Sequence, residues 1–240
     1  ASQLQQPSAS LADGLTRVRR CNALPIPPTR LIGREAELER IQTSLIDCGV
    51  RLLTLIGTGG VGKTRLAIDA ANQLDDEFAD GAMFVALATV RDASLVPSAI
   101  LHVLGLREDS GTTSLVQIQA ALRERSTLLV LDNFEQVLAA ATIVAEILAT
   151  CPGVSFLVTS REPLYLRAEH LLPVPPLEVP EIRSQAETDD IVSSLERSHS
   201  VTLFLERARA VVPDLPFSGS QALAIARICQ RLDGIPLAIE

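Results

Sequence analysis

The spacing of apolar positions changes several times along the chain, and each change predicts an element. From Leu31 to Leu45, the residues Leu38, Ile41 and Leu45 recur at helical spacing behind a Gly33-Arg34 turn, which predicts a short loop feeding an amphipathic helix. Four compact apolar runs follow, at 52–56 (LLTLI), 83–87 (MFVAL), 128–131 (LLVL) and 156–158 (FLV). Runs that are apolar at nearly every position, and not at alternate ones, fit strands buried on both faces, as in a parallel sheet covered by helices. Between them lie predicted helices at 64–74, with Ala67, Ala70, Ala71 and Leu74 on one face, and at about 94–104, 114–125 and 134–149. Strand and helix alternating at this pitch predict an α/β unit with a parallel sheet.

The flanks read differently. Residues 1–28 are rich in Gln, Ser and Ala and end in Pro25, Pro27 and Pro28, the pattern of a tail or linker. The sheet unit is expected over 29–180. Residues 181–200 set Glu181, Glu187, Asp189, Asp190 and Glu196 against Arg183 and Arg197, which predicts a solvated acidic connector. In 201–240, Val201, Phe204, Leu205 and Ala208 make one helical face, and Ile225, Ile228, Cys229 and Leu232 a second. Gly234 stops that second helix and Pro236 opens a third, so the region reads as the truncated start of a small helical unit.

With 240 residues, 47% hydrophobic, the chain can bury a good-sized core and is not disordered wholesale. Its apolar runs stop far short of the roughly twenty residues of a membrane span, so a soluble protein is expected. A net charge of −8 offers no basic face of the kind that grips nucleic acid phosphates, and direct DNA or RNA binding by this segment is not expected. Cys21, Cys48, Cys151 and Cys229 are far apart with no CxxC, which fits reduced thiols in a cytoplasmic protein. Twenty of the 21 basic residues are arginine, a bias that suggests a GC-rich bacterial genome, and the one lysine is Lys63. Where such a bias spares a lysine, an ammonium has a chemical task.

Lys63 closes the run Gly57-Thr58-Gly59-Gly60-Val61-Gly62-Lys63-Thr64, a GxxxxGK[ST] phosphate loop placed after a buried strand and before a helix. The glycines let successive N–H groups point at phosphate oxygens, the helix N-terminus adds positive potential, and Lys63 neutralises the terminal phosphates. Thr64 would hold Mg2+ through its hydroxyl, and Arg65 follows as a nucleotide-side residue. A second apolar strand ending in Asp132 supplies the metal-side carboxylate. The next residue is Asn133, which cannot take a proton, so the nearest further acid is Glu135. Glu135 is either a water-polarising group or a helix-start acid complementing the dipole. Arg161, after the fourth strand, is either a γ-phosphate partner or one half of a salt bridge to Glu162 or Glu135. His102, His170 and His199 belong to no motif and read as surface or packing residues.

In this order the pieces resemble the STAND class of P-loop NTPases, and within it the bacterial NB-ARC-like branch of large LuxR-type and related regulators. The resemblance covers about 29–240 and rests on LIGRE at 31–35, GTGGVGKT at 57–64, FVAL at 84–87 with Arg91-Asp92, LLVLDNFEQV from 128, VTSRE from 158 and GIPLA at 234–238. It implies a three-layer fold with sheet order 2-3-4-1-5, and it implies that Gly33, Arg34 and Pro236 enclose adenine. It also implies an ATP/ADP-binding regulatory switch using Mg2+, able to form a nucleotide-dependent oligomer, with effector, sensor and winged-helix units outside these residues. Relatives often carry two acids where this chain has Asp132-Asn133, so hydrolysis is expected to be slow at most. The alternative is a turnover P-loop ATPase or small-molecule kinase; no dedicated catalytic acid, lid or acceptor pocket is legible for it.

Overall fold

The computed structural model describes residues 24–109, 111–180, 195, 197–215, 217 and 219–240. Residues 1–23 of the tail read for 1–28, and 181–194 and 196 of the connector read for 181–200, lie outside the described residues. Strands β1 (Leu52–Ile56), β2 (Ala82–Ala86), β3 (Thr127–Asp132), β4 (Val154–Ser160) and β5 (His170–Pro173) form one sheet. Every neighbouring pair is parallel, in the order β2-β3-β4-β1-β5 that the resemblance implied. Helices α1 (Glu35–Gln42) and α2 (Lys63–Leu74) pack on one face, and α3 (Val96–Val103), α4 (Ser114–Leu122) and α5 (Ala141–Thr150) on the other.

Alternate side chains leave a strand on opposite faces, which divides the core in two. Leu128, Val130 and Leu157 join the α1–α2 layer, while Leu129, Leu131, Phe156 and Val158 join the α3–α5 layer. The central strands β3 and β4 are buried along their whole length, whereas only Leu172 is buried in β5. An edge strand covered at a single position needs no apolar run, and the sequence shows none there.

Two helix expectations shift at their starts. The helix expected at about 94 opens instead with a 3-10 turn, Ala93–Leu95, capped by Asp92, whose carboxylate accepts the Ser94 N–H at 2.9 Å. The helix expected over 134–149 is corrected more strongly: two 3-10 turns, Phe134–Gln136 and Leu138–Ala140, precede α5 at Ala141. The cause lies at the end of β3, where Asn133 is left-handed (φ 63) and Phe134 drops into the core at 0% exposure, a path no α-helix can follow.

Helices α6 (His199–Val211), α7 (Gly219–Arg231) and α8 (Pro236–Ile239) make the helical unit. The acidic connector expected to reach residue 200 gives way earlier, since Ser198 and Ser200 are buried and Ser198 Oγ donates to Glu178 O at 2.9 Å. The apolar face expected to include Ile228 is also corrected: Ile228 is 42% exposed, and the small residues Ala222 and Ala226 pack inward with Ile225 and Cys229. Among the described residues no helix is long and apolar enough to cross a membrane. Cys48, Cys151 and Cys229 are free thiols, and Cys21 lies outside the described residues.

Candidate functional site

The loop between β1 and α2 turns back on itself through Gly60 (φ 81) and Gly62 (φ 95), the second of which caps α2. Positive φ costs glycine nothing, so the loop can aim consecutive N–H groups at one point ahead of the helix. Lys63 folds its ammonium over this loop, donating to Gly57 O at 2.8 Å and Thr58 O at 3.0 Å. Burial pulls the Lys63 ammonium below the usual lysine range; Glu135 offsets part of that shift, Arg161 adds to it and Asp132 opposes it. All three charged groups singled out in the sequence therefore act on one lysine.

Strand periodicity explains how Asp132 reaches the loop. Asp132 has the parity of Leu128 and Val130, so it leaves β3 on the α2 side. There its Oδ1 accepts the Thr64 hydroxyl at 2.7 Å. It also accepts the hydroxyl of Thr159 at 2.6 Å, and Thr159 Oγ1 in turn accepts the Asn133 N–H at 3.0 Å. Nothing in the sequence singles out Thr159. It shares the parity of Leu157 on β4, and the pairing of Leu131 with Val158 sets it beside Asp132, but a threonine in a buried strand carries no signal until that register is known.

Glu135 does not start a helix. It sits in the first 3-10 turn, six residues before α5, and faces the cavity, which removes the dipole reading. Its Oε1 lies 3.2 Å from Arg161 Nε, so Arg161 pairs with Glu135 and not with Glu162. Its Oε2 is buried and finds no hydrogen-bond partner among the described residues.

These groups open onto a cavity of about 850 Å³, within the usual span of small-molecule sites. Gly59 to Arg65, Glu135, Arg161, Arg34 and Pro236 line it, while Gly33, Gly57, Thr58 and Asp132 do not. Gly33 is covered by the His199 side chain, so His199 is a packing residue. Arg34 is 4% exposed and committed to protein: Nη1 bonds Glu37 at 2.6 Å, and Nη2 donates to Val61 O at 3.0 Å and Pro175 O at 2.7 Å. It braces the phosphate loop against the chain leaving β5. Arg65 is likewise engaged, pairing with Asp69 and donating to Thr29 O. Residues 25–32 form one wall, with Pro25 O accepting from Asn72 Nδ2 at 3.2 Å. A further wall is the helical unit, which touches that segment through Arg207 Nη2 to Thr29 Oγ1 at 3.1 Å and whose Leu237 N–H donates to Gly60 O at 3.2 Å.

The Thr64 hydroxyl and the Asp132 carboxylate supply oxygen donors beside the loop, a set suited to a hard divalent cation that keeps most of its shell for phosphates and water.

A family model described as the NB-ARC domain matches residues 34–164. A Mycobacterium tuberculosis protein named as an HTH-type transcriptional regulator is 39% identical over 191 residues, 79% of this chain and 20% of that protein. An uncharacterized protein of the same organism is 37% identical over 213 residues, 88% of this chain and 49% of that one. The chain thus spans between a fifth and a half of these relatives. In fold it is similar to a Walker-type ATPase of Pyrococcus abyssi, with a TM-score of 0.57 at 15% identity, covering 87% of this chain and 66% of that one.

Proposed function

The chain belongs to the NB-ARC domain family, and from that premise we propose that it is the ATP/ADP-binding switch module of a larger bacterial regulator, hydrolysing ATP slowly at most. The observation that carries this reading is the convergence of Lys63, Thr64, Asp132 and Arg161 from three neighbouring strand ends around one phosphate loop. The loop's N–H groups would cradle the phosphates, and Lys63 would exchange its two carbonyl partners for phosphate oxygens. Thr64 and Asp132 would hold Mg2+, which would supply positive charge to offset the negative charge of the phosphates. The proline-rich segment 25–28 and Pro236 would flank the base. The protein-bound guanidinium of Arg34 supports a bracing role for that residue in place of a base contact.

Slow hydrolysis is supported by Asn133 at the end of β3, an amide that cannot take a proton from water. The regulator named among the relatives supports a module that works within a longer protein, with effector and sensor regions outside these residues. The deciding experiment identifies the nucleotide carried through purification and then measures turnover. Retained ADP with turnover far below one per second supports the switch. Turnover on the order of one per second or more, ordinary for an enzyme, would replace it with an ATPase or small-molecule kinase.

Two substitutions probe the parts. Asp132→Asn keeps an acceptor for the Thr64 and Thr159 hydroxyls but removes the charge, so Mg2+ should no longer strengthen ATP binding in calorimetry with and without EDTA. An unchanged magnesium effect rules out the carboxylate as metal ligand. Arg161→Ala should weaken a non-hydrolysable ATP analogue by about ten- to a hundredfold more than ADP, the scale of one charge-assisted contact. Equal losses for both nucleotides would make Arg161 a general electrostatic contributor.

A further inference from the structure

We propose that Glu135 sets how strongly the site prefers ATP over ADP, by holding Arg161 in an ion pair that a γ-phosphate has to break. The inference rests on the nucleotide-binding reading of the same cavity. Its basis is an asymmetry within the pair. The Arg161 side chain is 66% exposed and free to swing, while that of Glu135 is 13% exposed. Glu135 is also fixed from behind, because Phe134 is fully buried and the Asn133 N–H is bonded to Thr159 Oγ1. If the two part, the arginine moves.

The guanidinium already reaches toward the loop. While Nε faces Glu135, Nη2 lies 3.3 Å from the point where a Cβ on Gly59 would stand. One planar group therefore spans the gap between the carboxylate and the phosphate cradle, and its fork can engage only one of them squarely. The Glu135 Oε2 is buried with no hydrogen-bond partner among the described residues, and the positive groups that act on this carboxylate are Arg161 and Lys63. ADP has no γ-phosphate and leaves the pair intact. ATP recruits Arg161 and gives up the pair, so the pair's energy is subtracted from the affinity for ATP alone. A ligand shifts an equilibrium only by its differential interaction with the two states, and Glu135 diminishes that difference.

The test is a double-mutant cycle on the full chain, with Glu135→Gln, Arg161→Ala and the double variant each titrated by calorimetry with a non-hydrolysable ATP analogue and with ADP. Glu135→Gln should raise the ratio of analogue affinity to ADP affinity by about two- to fivefold, the scale of a half-exposed ion pair. In the Arg161→Ala background the same change should leave the ratio where Arg161→Ala alone puts it. An unchanged ratio in Glu135→Gln overturns the proposal. So does an equal rise in both backgrounds, which would make Glu135 a charge that repels the γ-phosphate directly. Should Glu135→Gln fail to fold in thermal melts, Glu135→Asp withdraws the carboxylate by one methylene, and a ratio that does not rise in that variant overturns the proposal equally. A parent protein that binds neither nucleotide would instead overturn the reading of the cavity itself.

Discussion

Lys63→Ala removes most of the thermal stabilisation that ATP gives the parent protein. At a concentration a hundred times the dissociation constant, a ligand of the folded state adds about 2.7 kcal/mol, or roughly 5–10 °C for a chain of this size. The ammonium is the single positive side chain issuing from the loop itself, and its loss costs one or two charge-assisted contacts, about a hundredfold in affinity. At the same ATP concentration the variant is then near half-saturation and gains only about 0.4 kcal/mol, a degree or two. Without nucleotide the two proteins should melt alike, because Lys63 bonds only two carbonyls of its own loop and is burdened by desolvation. Melting curves with and without ATP check both halves. A variant stabilised as much as its parent would dismiss the phosphate loop as the binding element.

Gly234→Ala should be a costly single-methyl change between the sheet unit and the helical unit. Gly234 has φ +65, and a Cβ there would stand 2.1 Å from Leu177 O and 3.0 Å from a Val179 methyl group. Neither backbone can retreat freely, since the Leu177 N–H donates to Gly234 O at 2.9 Å and the Gly234 N–H closes α7 onto Cys229 O at 3.1 Å. Gly49 provides the control, with φ +64 and nothing within 4 Å of its Cβ position. Gly49→Ala should therefore carry the left-handed cost alone, about 1 kcal/mol. Gly234→Ala should carry that cost and the collision, about 3 kcal/mol or more in total. The shift should also free the Leu237 amide from Gly60 O, seen as faster hydrogen exchange at Leu237. Equal melting temperatures for the two variants would mean that the contact with Leu177 yields at no cost.

Legibility varied with how local the governing physics was. The four apolar runs became β1 to β4 because strands covered on both faces must be apolar at nearly every position, whatever their neighbours. The fifth strand is silent in the sequence because its edge position buries one residue, Leu172, which leaves no pattern. The expected helix at 134–149 had the right composition but the wrong start. Its first residues are governed by the left-handed Asn133 and the burial of Phe134, both consequences of where β3 ends. Helical periodicity puts Ile228 inside, and it lies outside because the small Ala222 and Ala226 already fill that contact.

What the sequence determined by itself is the phosphate loop, the identity of Lys63 and Thr64 within it, and the acid closing the third strand. Each depends on backbone geometry within a few residues, and glycine spacing encodes that geometry directly. Only the tertiary structure decided the partners. Thr159 met Asp132 because β3 lies beside β4 in a particular register, and Arg34 became a brace because the chain leaving β5 passes over it. Arg161 could have paired with Glu162 or Glu135, and residues 26 positions apart were joined because adjacent parallel strands deliver their ends to one edge. Pairing energies depend on distances of a few ångströms, and such distances between elements exist only once the sheet has been assembled.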